Sequence, residues 1–206
     1  MSYAVASLAP CSRRPAAVSR SCSRSAVLSR SFWLGRGGVL VGCRGVHYAI
    51  NAGMVARLLE AEDDEDITRV IEEYEEFAES WDPRFEFETD KAWDALHRCL
   101  SDGTLDLAGG SFPLSHVVLG GMQLYEGEDY VVALVRAEQV PEVAAALAPI
   151  DEAWLRRRYD TLEFSDYQGF RSDEDFEYTW ANFRGLDVFF QTAAEAGRAV
   201  IFTVDQ

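Results

Sequence analysis

The chain has 206 residues, with 35 Asp+Glu against 19 Lys+Arg, a formal charge of −16, and four cysteines. Its 48% hydrophobic and 12% aromatic content suits a globular core and excludes disordered, collagen-like or low-complexity classes for the whole. The acidic balance argues against a nucleic-acid binder, which needs a basic footprint to displace counterions, and so few cysteines do not make a disulfide scaffold.

The charge divides near residue 46. Residues 1–46 hold seven arginines (13, 14, 20, 24, 30, 36 and 44) and no acid, so residues 47–206 carry 12 basic against 35 acidic groups, a formal −23. Three of the cysteines (Cys11, Cys22, Cys43) lie in that first stretch, and only Cys99 lies beyond it. An Arg- and Ser-rich leader without acids has the composition of an organellar transit peptide. It is equally what translated GC-rich DNA upstream of a true start would give, and 18 Arg against the single lysine Lys91 favours that origin. A functional basic arm is the third reading. Residues 1–44 are therefore expected to be a basic extension, disordered or not native, with the folded domain at 45–206. No segment offers about 18 uninterrupted apolar residues, so no membrane span is expected. With one cysteine in the body and no convincing secretory signal, the expected setting is cytoplasmic.

Gly45 to Ile50 reads as a first strand, with Val46, Tyr48 and Ile50 on one face and His47 on the other. Asn51 caps a helix over Met54 to Glu62. Ile67, Val70, Ile71, Tyr74, Phe77, Ala78 and Trp81 recur at helical spacing, and Asp82-Pro83 stops that helix. Its opposite side is Glu72, Glu73, Glu75, Glu76 and Glu79, the pattern of a solvated helix face. Thr89-Asp90 is expected to cap a helix carrying Ala92, Trp93, Leu96 and Leu100 inward, ended by Gly103.

Residues 105–113 read as loop, and Glu126 to Asp129 as a turn. Tyr130 to Val135 is a continuous apolar run of the kind buried on both sheet faces. Pro141 suits the first turn of a helix over Glu142 to Ala148. Asp151 caps another helix, with Trp154, Leu155 and Tyr159 inward. Ser172, followed by three acids, starts a longer one that bends near Gly185. Gly197 ends it, and Ala199 to Val204 forms a last buried strand. The fold class expected is mixed α/β (α+β), a compact single-domain layered sheet with amphipathic helices. No Gly-rich phosphate turn follows the first strand, so a dinucleotide-binding topology is not supported.

Gly45-Val46-His47-Tyr48-Ala49-Ile50, Asp90 to Trp93 with Leu96-His97, and Pro113-Leu114 with Leu119-Gly120-Gly121 are similar to the YfbM-like family. So are Asp175 to Trp180 and Gly197 to Thr203, with order and spacing kept across about residues 45–206. The resemblance implies a compact α/β domain in a bacterial cytosol and implies no activity, since the family lacks an established one. Members begin almost directly at the Gly-Val-His strand, so Val39 or Val41 is a candidate start.

Motifs for chemistry are sparse. His47, His97 and His116 make no metal-binding spacing, and the acids at 63–66 lack the alternating ligands and central glycine of an EF-hand. No metal and no cofactor are expected. There is no nucleophile elbow and no phosphate loop. Ser115 and His116 adjoin in sequence, which carries no weight without spatial geometry. Trp93 and His97 stand i,i+4 at the edge of an apolar stripe, so His97 is either a hydrogen-bonding structural histidine or the lip of a cleft. His47 has the same two readings. Tyr178 and Asn182 share a polar helix face that would edge a ligand site. Arg198 is expected to serve the preceding helix C-terminus.

Two functions follow from these residues. The first is a binding or interaction module for a basic protein partner, of the immunity type, using the charge of the body. The alternative is a small-molecule enzyme with His97 in a cleft with Trp93 and Tyr178. His47, Trp93, His97, Tyr178 and Asn182 are the candidate binding residues, and no catalytic residue is assigned.

Overall fold

The computed structural model describes residues 43–76, 82–127, 129–162, 167 and 169–205. The sequence continues on both sides of Cys43, and the basic leader up to residue 42 lies outside the described residues. So do Phe77, Ala78, Glu79 and Trp81, the expected last turn of the acidic helix.

In chain order the elements are β1 (Gly45–Ile50), α1 (Ala52–Glu60), α2 (Asp64–Glu76), a 3-10 turn (Pro83–Phe85), β2 (Glu86–Asp90) and α3 (Trp93–Leu100). A second 3-10 turn (Leu114–Val117), β3 (Met122–Gln123), β4 (Tyr130–Val135) and α4 (Val140–Leu147) follow. The chain ends on α5 (Glu152–Thr161), α6 (Asp173–Phe183), α7 (Leu186–Glu195) and β5 (Ala199–Asp205). The strands form one open sheet in the order β2-β1-β5-β4-β3, and every neighbouring pair is antiparallel. The expected mixed α+β layered fold is the one observed.

Helices cover the sheet on both sides. On one face Tyr48, Ile50, Val132, Leu134, Ala199 and Ile201 pack against Met54 and Leu58 of α1 and Ile67, Val70 and Ile71 of α2. On the other, Ala49, Val131, Ala133, Val135, Val200 and Phe202 meet the apolar sides of α3 to α7. Near-continuous apolar runs are the mark of strands buried twice over, usually in parallel sheets. Here β4 and β5 carry that mark inside an antiparallel sheet, because the helices supply the second cover.

The helix starts obey local chemistry. The Asn51 Oδ1 accepts from the Met54 amide at 3.0 Å, the Asp151 Oδ1 from Trp154 at 2.7 Å, and the Ser172 Oγ from Asp175 at 3.2 Å, each meeting one orphan N–H of a first turn. Gly185, at φ +99°, separates α6 from α7, and the left-handed backbone there is open to glycine at little cost. The bend expected at this position is therefore a true break between two helices.

Thr89-Asp90 departs from expectation. These residues end an edge strand rather than cap a helix, and α3 starts after Ala92 with no side-chain cap. Thr89 is fully buried and its hydroxyl donates to the Gly45 carbonyl at 3.1 Å, pinning β2 to β1. The two strands approach so closely that a Cβ on Gly45 would stand 2.8 Å from the Phe202 ring and 2.9 Å from the Thr89 hydroxyl. Glu86 and Glu88 point outward on this edge, and charges there discourage pairing with a further strand.

Candidate functional site

All five candidate residues lie on β1, α3 and α6. Their side chains are engaged in different ways. His47, from β1, is fully buried. Its ring lies 4.8 Å from that of Phe202, 6.0 Å from those of Phe189 and Phe190, and 6.5 Å from that of Phe87, centroid to centroid. The Nε2 faces the Val117 carbonyl at 2.8 Å, so the ring proton sits on that nitrogen.

His97, on α3, is likewise fully buried. Its Nδ1 accepts, at a long 3.4 Å, from the amide of Leu119. Burial pushes both imidazoles down to about 4; for His97 the Asp106 backbone and the Asp102 carboxylate oppose that shift weakly. The two histidines are neutral at physiological pH. They hold opposite ends of one short stretch, Val117 to Leu119, against the sheet and α3.

Trp93 is buried on the same helix, and its indole N–H donates to the Cys43 carbonyl at 3.2 Å. Tyr178, on α6, is 38% exposed and does not enter the core. Its hydroxyl donates to the Asp90 Oδ2 at 2.6 Å and accepts from the Lys91 amide at 3.2 Å. Partial burial, together with the Asp90 hydrogen bond, pushes this phenol up to about 12. Asp90 itself has φ +44°, in the left-handed region. Asn182 turns its amide back on its own helix, donating to the Tyr178 carbonyl at 2.9 Å. The structure thus joins Tyr178 to the β2–α3 corner and joins both histidines to the 117–119 stretch.

Among the described residues no three His, Cys, Asp or Glu side chains stand together as a metal site, and no helix is long and apolar enough to cross a membrane. Cys99 is buried, and burial raises its thiol to about 12, far from a reactive thiolate. Ser115 and His116 do meet, Oγ to Nδ1 at 3.1 Å, but Ser115 is buried.

Two features were not legible beforehand. The first is an acidic convergence. Partial burial of the Glu75 carboxyl raises its pKa against the opposing hydrogen bond from Tyr48, and the charges of Glu86, Glu72 and Asp205 add to the rise. These acids come from α2, β2 and β5, elements brought together only by the sheet order. The second is a cavity of about 200 Å³ lined by Asn51, Tyr74, Asp82, Phe85 and Arg198. Arg198 serves the end of α7 through its backbone amide, which donates to the Ala193 carbonyl at 2.9 Å. Its Nη1 donates to the Ala49 carbonyl at 2.9 Å, across to β1. A second, shallower surface hollow is lined by Arg156, Asp173, Phe176 and their neighbours on α5 and α6. Neither cavity has His47, Trp93 or His97 in its lining.

Comparison with known proteins agrees with this architecture. The chain is similar in structure to YfbM from Escherichia coli, whose solved structure is described as that of a protein of unknown function. The TM-score is 0.56 at 17% sequence identity, covering 78% of this chain and 99% of that one. No curated protein matches the sequence. Residues 41–203 match the family described as a domain of unknown function, DUF1877. That match takes in every helix just described and all of the sheet but the last two residues of β5, and the chain therefore belongs to the DUF1877 family.

Proposed function

We propose that the protein is a binding module whose acidic face, formed by α2, the β2 edge and the end of β5, receives a basic protein partner. The observation that carries this reading is that Glu86, Glu72 and Asp205, from three elements, each act on the carboxyl of Glu75. Like charges held together cost energy in the free protein, and a cationic partner relieves that cost on contact. Tyr48 donates to the Glu75 Oε1 at 3.0 Å, which fixes one acid of the group in place. Glu72, Glu86 and Asp205 are exposed. The field of the acidic body would also speed encounter, an effect that weakens with salt.

An arginine-rich decapeptide is a suitable probe. The reading expects binding at about 50 mM salt that fades within a few hundred millimolar, as screening shortens the reach of the field. The triple variant Glu72→Gln, Glu86→Gln, Asp205→Asn should bind far more weakly. A control triple, Glu138→Gln, Glu142→Gln, Glu152→Gln, removes the same charge from other exposed positions. Equal loss in both triples would reduce the effect to net charge and defeat the reading, as would the absence of binding at low salt.

A further inference from the structure

Arg198 stands out in a chain where acids outnumber bases 35 to 19. The half-buried side chain has acids within electrostatic reach, yet makes no ion pair among the described residues. Its guanidinium carbon stands over the Phe85 ring, 3.6 Å from the centroid, a contact close enough to restrict the plane of the group. Nη1 is committed to the Ala49 carbonyl at 2.9 Å. The Nε and Nη2 edge has no hydrogen-bond partner among the described residues, and Arg198 lines the 200 Å³ cavity.

The other walls narrow the chemistry. Asp82, the nearest carboxylate of the lining, is already held by Arg84. Its Oδ1 accepts from the Arg84 backbone amide at 3.1 Å, and both its oxygens accept from the Arg84 Nε at 2.9 Å. Asp82 is thus hydrogen-bonded to Arg84, and the charge of Arg198 acts on it only at a distance. Asn51 has its amide oxygen on the Met54 N–H, so what remains to it is the NH2 donor. Tyr74 offers a phenol ring whose pKa burial pushes up to about 12, with the charge of Arg198 opposing that rise and that of Glu86 adding to it. A fixed planar cation with one open edge matches a carboxylate with two parallel hydrogen bonds. The nearby Glu86 opposes a second negative charge.

We infer that this cavity is a binding site for a small monocarboxylate, whose two oxygens meet the Nε and Nη2 edge of Arg198 and whose apolar body rests against Tyr74. The cavity borders the acidic face at Glu86 but is lined by different residues, and benzoate binding is read independently of peptide binding. A volume of about 200 Å³ admits a body of benzene-ring size and excludes a drug-sized ligand.

The test uses the full chain labelled with 15N, following the Arg198 Nε–H resonance. Three probes are titrated: benzoate, its neutral analogue benzamide, and inorganic phosphate. Benzoate should shift the resonance saturably, with benzamide and phosphate at least tenfold weaker. Arg198→Gln should weaken benzoate binding tenfold or more, and Arg198→Lys should fall between, since it keeps the charge and loses the fork. No saturable shift with benzoate overturns the site. So does benzamide binding as well as benzoate, which would reduce it to an apolar hollow, or phosphate binding better, which would make it a general anion site. These comparisons are made on the unaltered chain, so they decide the matter even where a variant fails to fold.

Discussion

The Nε2 of His47 lies 2.8 Å from the carbonyl oxygen of Val117, 70 residues further along the chain. One end of this bond sits on β1, beside the central strand; the other belongs to the 3-10 turn Leu114–Val117, which has few backbone bonds of its own. Around the ring stand four phenylalanines. A polar contact inside an aromatic cage is strong because nothing competes for it, and costly to break for the same reason.

His47→Ala should therefore destabilise the protein by about 3 kcal/mol, from the cavity left among the rings together with the stranded carbonyl. His47→Gln keeps a donor and should cost less. Urea unfolding of the two variants, read by tryptophan fluorescence, checks the order. Equal losses would mean that volume alone matters at this position.

Acid should weaken the fold before the carboxylates titrate. An unfolded imidazole takes up its proton near 6.5, whereas folded His47 and His97 stay neutral down to about 4. Between those values the unfolded chain binds more protons, so stability falls as pH falls. Each histidine contributes a slope of about 1.4 kcal/mol per pH unit once fully within the window. Stability measured at pH 7, 6 and 5 should decline, and His97→Gln should remove about one proton's worth of the slope. A slope unchanged in both His47→Gln and His97→Gln would assign the acid sensitivity to other groups.

Gly185→Ala should cost about 1–2 kcal/mol, because φ +99° is strained for any residue with a Cβ and the added atom would stand 3.3 Å from the Phe87 ring. Thermal unfolding is sufficient to measure it. A neutral result would mean that α6 and α7 tolerate a different join.

Tyr178→Phe removes the hydroxyl that bridges Asp90 and the Lys91 amide. The site is partly exposed, so water replaces much of the loss, and about 1 kcal/mol is expected. Amide exchange at Lys91 should rise well above any change in the core strands. Equal protection in variant and parent would show that the bond does not hold the β2–α3 corner.

Much of this architecture was legible in the chain. Asn51, Asp151 and Ser172 cap helices where they stand because capping depends on residues three positions apart. The apolar runs of β4 and β5 were readable because burial on two faces leaves no polar alternation to confuse, and β1 was readable from the shared face of Val46, Tyr48 and Ile50. β2 was misread because a five-residue edge strand carries Glu on its outer face, and Thr followed by Asp also spells a helix cap. The family resemblance, carried by residues from Gly45 to Thr203, is upheld by the family match over residues 41–203. The partners of the candidate residues were a different matter. That His47 would meet Val117, or Arg198 meet Ala49 and Phe85, depends on the strand order, and local spacing holds no record of it. The helical face shared by Tyr178 and Asn182 was a correct reading of periodicity, while the bond from Tyr178 to Asp90 spans 88 residues and required the fold.

The position of β5 has a consequence for how the chain is made. It lies between β1 and β4 and hydrogen-bonds to both, yet it follows all the other strands in the chain. Until residues 199–205 emerge, β1 with β2 and β4 with β3 are two separate ribbons, each lacking its inner neighbour. Helices on both faces have no continuous floor to rest on. Contacts of such sequence separation close slowly, and an unfinished chain would present two open strand edges to its surroundings. A truncation before Ala199 should therefore yield an aggregating product rather than a smaller domain.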